Sequence, residues 1–189
     1  VWLGFAAVLG IAATIIYQFN RPAPQTTAPP IAEQAPELIK RIAQDGHEIA
    51  CHYHYHDCVD THTPEAFEAN LTTALKALRT ASGQPVTGFR APKFRIPQNS
   101  AAHYNVLAKH VTYDSSYLCQ TKTQATAFAA TLDTKLSILP IYSNRLRLGG
   151  SYMKLFPRAI TARMINNAQN GGLTPHIYLH PYEFVFDGS

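Results

Sequence analysis

With 189 residues, 46% of them hydrophobic and 15% charged, the chain can bury one sizeable core and is excluded from the disordered class. The formal charge of +4 is spread over scattered Lys and Arg with no run or stripe, which argues against a nucleic-acid partner. Three cysteines, Cys51, Cys58 and Cys119, form no CxxC pair and so exclude both a disulfide framework and a zinc ribbon.

Val1 to Phe19 carries no charge and has Trp2 and Tyr17 near its ends. Its length suits a membrane-spanning or signal-anchor helix, and a buried strand–turn–strand element of a globular core is the competing reading. Asn20 to Pro30 holds four prolines among small polar residues, a composition that predicts an extended tether. A globular domain is expected over residues 31–189.

Ala35 to Asp45 predicts a short helix, with Pro36 in its first turn, Gly46 stopping it, and Leu38, Ile39 and Ile42 on one face. His47 to Cys51 reads as a strand, and Cys51 at its end as a small buried thiol. Thr63 is the expected N-cap of a second helix, with Pro64 at its first position. Phe67, Leu71, Ala74, Leu75 and Leu78 recur on one face of that helix, and Ser82-Gly83 closes it. Further expectations are strands at Pro85 to Phe89, one ending at Tyr113-Asp114-Ser115-Ser116, at Leu136 to Ile141 and at His176 to Leu179. Helices are expected at Ala101 to Lys109 and at Ala159 to Gln169, the latter ended by Gly171-Gly172. Alternating helices and strands predict an α/β fold with a largely parallel sheet.

Between Gly46 and Asp57 the chain packs four histidines, His47, His52, His54 and His56, and two carboxylates into one short stretch. His52 and His56 stand four residues apart, a spacing that lets two imidazoles converge on a divalent cation such as zinc. A solvated His/Tyr loop without a ligand is the bland alternative. Reactive groups also follow the other strand ends: Arg90, Asp114 and His180. In a barrel or doubly wound sheet such ends gather on one face, where active sites lie. Taken singly, Arg90 could be an ordinary salt-bridging residue, His180 a core histidine, and Asp114 a turn-forming residue before Ser115-Ser116.

These residues resemble the NodB-homology polysaccharide deacetylases, carbohydrate esterase family four, and in particular those associated with bacterial exopolysaccharide export. The likeness runs from about Ala32 to Phe184. It rests on His52-Tyr53-His54-Tyr55-His56 against the family's H-[ST]-x-x-H, on Arg90-Ala91-Pro92, on Tyr113-Asp114-Ser115-Ser116 and on Leu179-His180. The resemblance implies a distorted (β/α) barrel and metal-dependent removal of N-acetyl groups from an amino-sugar polysaccharide. His52 and His56 would hold a divalent metal, zinc by preference. His180 would protonate the leaving amine, Asp114 would hold its tautomer, Arg90 would orient the carboxylate base or lower its pKa, and Tyr117 or the amide of a neighbouring residue would help hold the oxyanion. The family's first motif, T-F-D-D, has no match in residues 1–51, so the resemblance also implies a domain incomplete at its N-terminus and impaired catalysis, with Asp57, Asp60 or Asp187 as replacement carboxylates. A degenerate glycan- or metal-binding member, and an amidohydrolase of cyclic amides or peptidoglycan, are the alternatives. The implied location is a bacterial envelope, membrane-anchored or extracytoplasmic.

Overall fold

The computed structural model describes residues 30–144 and 146–184. The expected anchor, all of the expected tether except Pro30, and Asp187 therefore lie outside the described residues. The elements in chain order are α1 (Ile31–Gln34), α2 (Pro36–Gln44), α3 (Pro64–Ser82), β1 (Gly88–Phe89), α4 (Ala101–His110), β2 (Tyr113–Asp114), β3 (Leu118–Cys119), α5 (Lys122–Ala130), β4 (Ser137–Ile138), β5 (Ile141–Tyr142), α6 (Ser151–Leu155) and α7 (Arg158–Asn170).

The long helix α3 follows from local signals. Thr63 Oγ1 accepts the Ala66 N–H, Pro64 occupies the first turn, and Gly83 ends the helix in a left-handed conformation at φ 70°. Its inner face is Phe67, Leu71, Ala74 and Leu75, all buried, with Leu78 partly so. Helix α2 has the expected bounds and only part of the expected face. Ile39 is buried and Ile42 half-buried, but Leu38 is exposed.

Among the described residues the five strands pair in parallel, and one antiparallel bridge joins Ser143 to Arg147. Strands β1, β2 and β4 lie side by side in chain order, with Gly88 opposite Tyr113 and Tyr113 opposite Ser137. Cys51 extends this arc on its outer side. It pairs with Phe89 in a single parallel bridge, donating its N–H to the Gly88 carbonyl and accepting the Arg90 N–H. The expected strand over His47 to Cys51 is thus reduced, among the described residues, to one paired residue. A second parallel pair, β3 with β5, stands apart.

The chain passes between the two pairs of neighbours at matched places. It leaves β2 through Ser115-Ser116 to reach β3, and leaves β4 through Leu139-Pro140 to reach β5. The expected single strand at Leu136 to Ile141 is divided there, since Pro140 has no N–H to give a ladder. The expected last strand, His176 to Leu179, is likewise reduced to one bridge, Tyr178 with Gly149. Helices cover the arc: α3 packs on both α2 and α4. The larger core lies between these helices and the first sheet. A smaller one, around Tyr142, Leu148, Met164 and Leu173, lies under α7. The result is an α/β fold in the form of a distorted barrel.

Phe67 ties this core to the histidine segment. Its fully buried ring meets Tyr53, Phe89 and His103 at centroid distances of 5.6, 5.7 and 5.6 Å. Phe67→Ala should cost about 3–5 kcal/mol of stability, measured as a shifted urea midpoint. A loss below about 1 kcal/mol would mean that the ring is not the packing anchor described.

Candidate functional site

Parallel pairing of Cys51 with Phe89 sets the next residues, His52 and Arg90, side by side. The Arg90 carbonyl can only accept, so the 2.7 Å contact between it and His52 Nδ1 places the proton on Nδ1. Nε2 keeps its lone pair. The His52 ring meets the His56 ring edge-on, with centroids 4.9 Å apart. Both histidines remain accessible on the rim, yet crowding by protein atoms desolvates them. That burial, reinforced by the positive surroundings of His56, Arg90 and His180, brings the His52 imidazole down to about 4. His56 is lowered in the same way, by burial first and then by Lys93 and His180. Two neutral imidazoles therefore face one space, which is the protonation state a divalent cation requires.

The backbone there is held in unusual conformations. Tyr53 and His56, with φ of 71° and 58°, lie in the left-handed region. So do Lys93 and Phe94, with φ of 55° and 60°, in the neighbouring turn after β1. These four are the non-glycine residues of positive φ among the described residues, and all sit in the two loops that carry the histidines and follow Arg90. Each such residue costs of order 1–3 kcal/mol and persists only where packing over-determines it, a pattern typical of functional sites.

Arg90 spans from β1 to the end of β2. Its Nε donates to the Ser115 carbonyl at 3.2 Å and its Nη2 to Ser115 Oγ at 2.9 Å. Among the described residues it has no ion-pairing carboxylate, so the expected contact with a base is replaced by Ser115. Asp114 is fully buried, and its carboxylate accepts both the Ser116 N–H and the Ser116 hydroxyl. Ser116 Oγ in turn accepts the Ala91 N–H at 2.8 Å. Asp114 thus takes the turn-forming role and locks the ends of β1 and β2 together. The expected pairing of Asp114 with His180 is corrected: the carboxylate beside the His180 imidazole is Glu183, with Nδ1 and Oε1 3.4 Å apart. Glu183 also accepts the His180 N–H at 3.0 Å, and its own side chain is buried. Sequence reasoning missed Glu183, although its i, i+3 spacing within a Pro-initiated turn was a usable signal.

The replacement carboxylates have other partners. Asp57 pairs with His62, leaving its Oδ1 buried without a hydrogen bond, and Asp60 pairs with Arg95 at 2.8 Å. The Tyr117 ring lies flat on Phe128, with centroids 4.0 Å apart. Cys51 is buried and its thiol pushed up to about 11, so it stays protonated. Among the described residues no group of three or more His, Cys, Asp or Glu converges closely enough to hold a metal ion by itself. The donor set nonetheless fits two ligands of a zinc-type site: neutral imidazoles, with the His52 tautomer fixed by an outer carbonyl.

Residues 24–112 match the family model of polysaccharide deacetylases, a span that includes His52, His56 and Arg90 and stops short of Asp114 and His180. No curated protein matches the chain. Among solved structures it is similar to one from Mycobacterium smegmatis assigned as a polysaccharide deacetylase, at 23% identity and a TM-score of 0.58 over 80% of this chain and 55% of that one. A similarly assigned structure from Pseudomonas aeruginosa PAO1 gives 14% identity and a TM-score of 0.51 over 78% and 50%. The chain spans about half the length of these two structures, and at such identities the likeness establishes the shared fold alone.

Burial raises the Asp114 carboxyl from 3.8 to about 6, against the opposing Ser116 bonds and Arg90 charge. The folded state therefore holds this proton more tightly than the unfolded chain. The associated stability is full below the unfolded value and is lost as pH rises through about 6. Relative to Asp114→Asn, the native chain should lose up to about 3 kcal/mol between pH 4 and 7, read from urea midpoints. Parallel pH profiles for the two proteins would contradict the buried, protonatable carboxyl.

Proposed function

We propose that this chain is a metal-dependent hydrolase of the polysaccharide deacetylase type, removing N-acetyl groups from an amino-sugar polysaccharide of the bacterial envelope. The observation that carries the reading is the His52–Arg90 contact, which leaves a bare Nε2 beside a second neutral imidazole on the rim. The family match over the same residues supports it. His52 and His56 would hold the metal, zinc by preference. When bound, such an ion polarises the acetamide carbonyl and makes water a better nucleophile.

The chain's own residues account for the remaining steps as follows. Amide hydrolysis adds water to the carbonyl carbon, breaks the C–N bond and gives acetate and a free amine. The departing nitrogen must be protonated, because an amide anion is too basic to leave. His180 is suited to deliver that proton. Glu183 sits against Nδ1, and the imidazole remains partly exposed. Arg90 and Asp114 act as positioning residues that fix the ends of β1 and β2, and with them the carbonyl that orients His52. The base that takes the proton from water is the weak point. Asp57 and Asp60 already have partners, and general-base assistance typically contributes about 10²–10⁴-fold.

That observation favours a second reading, a degenerate member that binds metal or glycan without turnover. Zinc titration and acetate release from N-acetylated chito-oligosaccharides separate the two. The first reading predicts one zinc per chain, weakened at least ~10-fold by His52→Ala, and slow zinc-dependent acetate release that His180→Ala lowers at least ~10-fold. Zinc binding without acetate release favours the second reading. Zinc affinity unchanged in both His52→Ala and His56→Ala overturns the metal site in either.

A further inference from the structure

The segment that follows β5 brings a cation to the rim. Arg147 forms an antiparallel bridge with Ser143. Two residues on, Gly149 pairs in parallel with Tyr178, and the Gly150 N–H donates to the Tyr178 carbonyl at 2.7 Å. Gly149 has a φ of 134°, and a Cβ there would collide with that carbonyl, so glycine alone permits the approach. The segment bearing Arg147 is therefore fastened to the segment bearing His180.

Rings fill the space between the two side chains. The Arg147 guanidinium carbon lies over Phe94, 5.1 Å from the ring centroid and within cation–π range. Phe94 meets Tyr178 at 5.5 Å, and Tyr178 meets His180 at 5.7 Å, both edge-on. Two ring contacts thus link the cation to the imidazole, a span that one neighbouring sugar covers. Phe94 owes its place to the left-handed turn at Lys93 and Phe94, and the rings of Phe94 and Tyr178 are half-buried, as is Arg147. Such an aromatic wall with one placed polar group is the usual make-up of a ligand site.

Charge along this line is one-sided. Next to burial, the charge of Lys93 acts on His56 and that of Arg90 on His52. The nearby carboxylates are engaged elsewhere: Asp57 with His62, Asp60 with Arg95, and the buried Glu183 with His180. Packing on a ring occupies the face of a guanidinium. Its fork of N–H donors lies in the plane, where it matches a planar carboxylate bidentately.

We propose that Arg147 determines specificity for an acidic polysaccharide, by binding the carboxylate of a uronic acid that neighbours the N-acetylated sugar. The inference rests on the deacetylase reading for the identity of the reacting sugar. It narrows the substrate class of that reading to a polymer that carries carboxylates, as against a neutral, chitin-like chain.

Two tetrasaccharides of alternating N-acetylglucosamine and glucuronate, one with free carboxylates and one methyl-esterified, test it by calorimetric titration of the metal-free 189-residue chain. The free acid should bind at least ~10-fold more tightly than the ester, as expected for one charge-assisted hydrogen bond. In Arg147→Gln the two probes should bind within about 2-fold of each other. Arg147→Lys should keep only part of the preference, because an ammonium lacks the fork, and it carries the test if Arg147→Gln fails to fold. Equal affinity of the native chain for acid and ester overturns the proposal. So does a preference undiminished in either variant, and so does failure of both probes to bind. Acetate release in the presence of zinc is scored separately. Its absence from both probes, with the Arg147-dependent preference intact, overturns the deacetylase reaction and supports the carboxylate site. Release from acid and ester alike, with no difference in affinity, overturns the role of Arg147 and leaves the reaction standing.

Discussion

One parallel bridge governs the site. Cys51 pairs with Phe89 through the Gly88 carbonyl and the Arg90 amide, and that register brings the two following residues abreast. A slip by one residue would turn every side chain of the segment to the opposite face. It would also separate His52 from the carbonyl that sets its tautomer. The bridge in turn depends on burial: Cys51 and Phe89 are both almost wholly enclosed, and the Phe67 ring fills the space behind them. Helix α3 therefore acts on the rim at a distance, by holding the base of the loop that carries the histidines.

The rim itself is assembled by short polar links between strand ends. Asp114 holds Ser116, Ser116 receives Ala91, and Arg90 reaches Ser115, so the loops after β1 and β2 are joined in both directions. Further round, Phe94 meets the Tyr178 ring, and Tyr178 meets His180, which carries the contact on to the last segment. Four left-handed residues near the histidines and Arg90 cost several kcal/mol together by ordinary magnitudes. A fold stable by only about 5–15 kcal/mol retains them because the buried core and these links leave the loops no cheaper path.

What the sequence made legible was what short-range chemistry decides. The cap at Thr63, the proline after it, the period of Phe67 to Leu75 and the left-handed Gly83 all follow from neighbours within a few turns. The parallel α/β class was readable because helices and short apolar strands alternate along the chain. The failures lie where distant partners decide. Leu38 shares the helical face with Ile39, but no described element covers it. Leu136 to Ile141 looks like one apolar strand until Pro140 splits it between two sheets. Helix α5 was missed because its faces are weakly contrasted, even though Thr121 and Gln124 form a capping box at its start. Glu183, which had no expected role, stands where Asp114 was expected, because a carboxylate goes to the nearest donors, Ser116 for Asp114 and His180 for Glu183.

The chemistry of the rim rests on the protonation of one ring. If the Arg90 carbonyl orients His52, then at neutral pH that imidazole is neutral, with its proton on Nδ1 and a bare Nε2, and its ring lies edge-on to that of His56. Nitrogen-15 NMR of the histidine side chains in the metal-free protein reads this directly. The expected result is a pure Nδ1–H tautomer for His52 that persists well below pH 6, in keeping with a pKa lowered to about 4. An Nε2–H tautomer, or an imidazolium already present at pH 6, would contradict it.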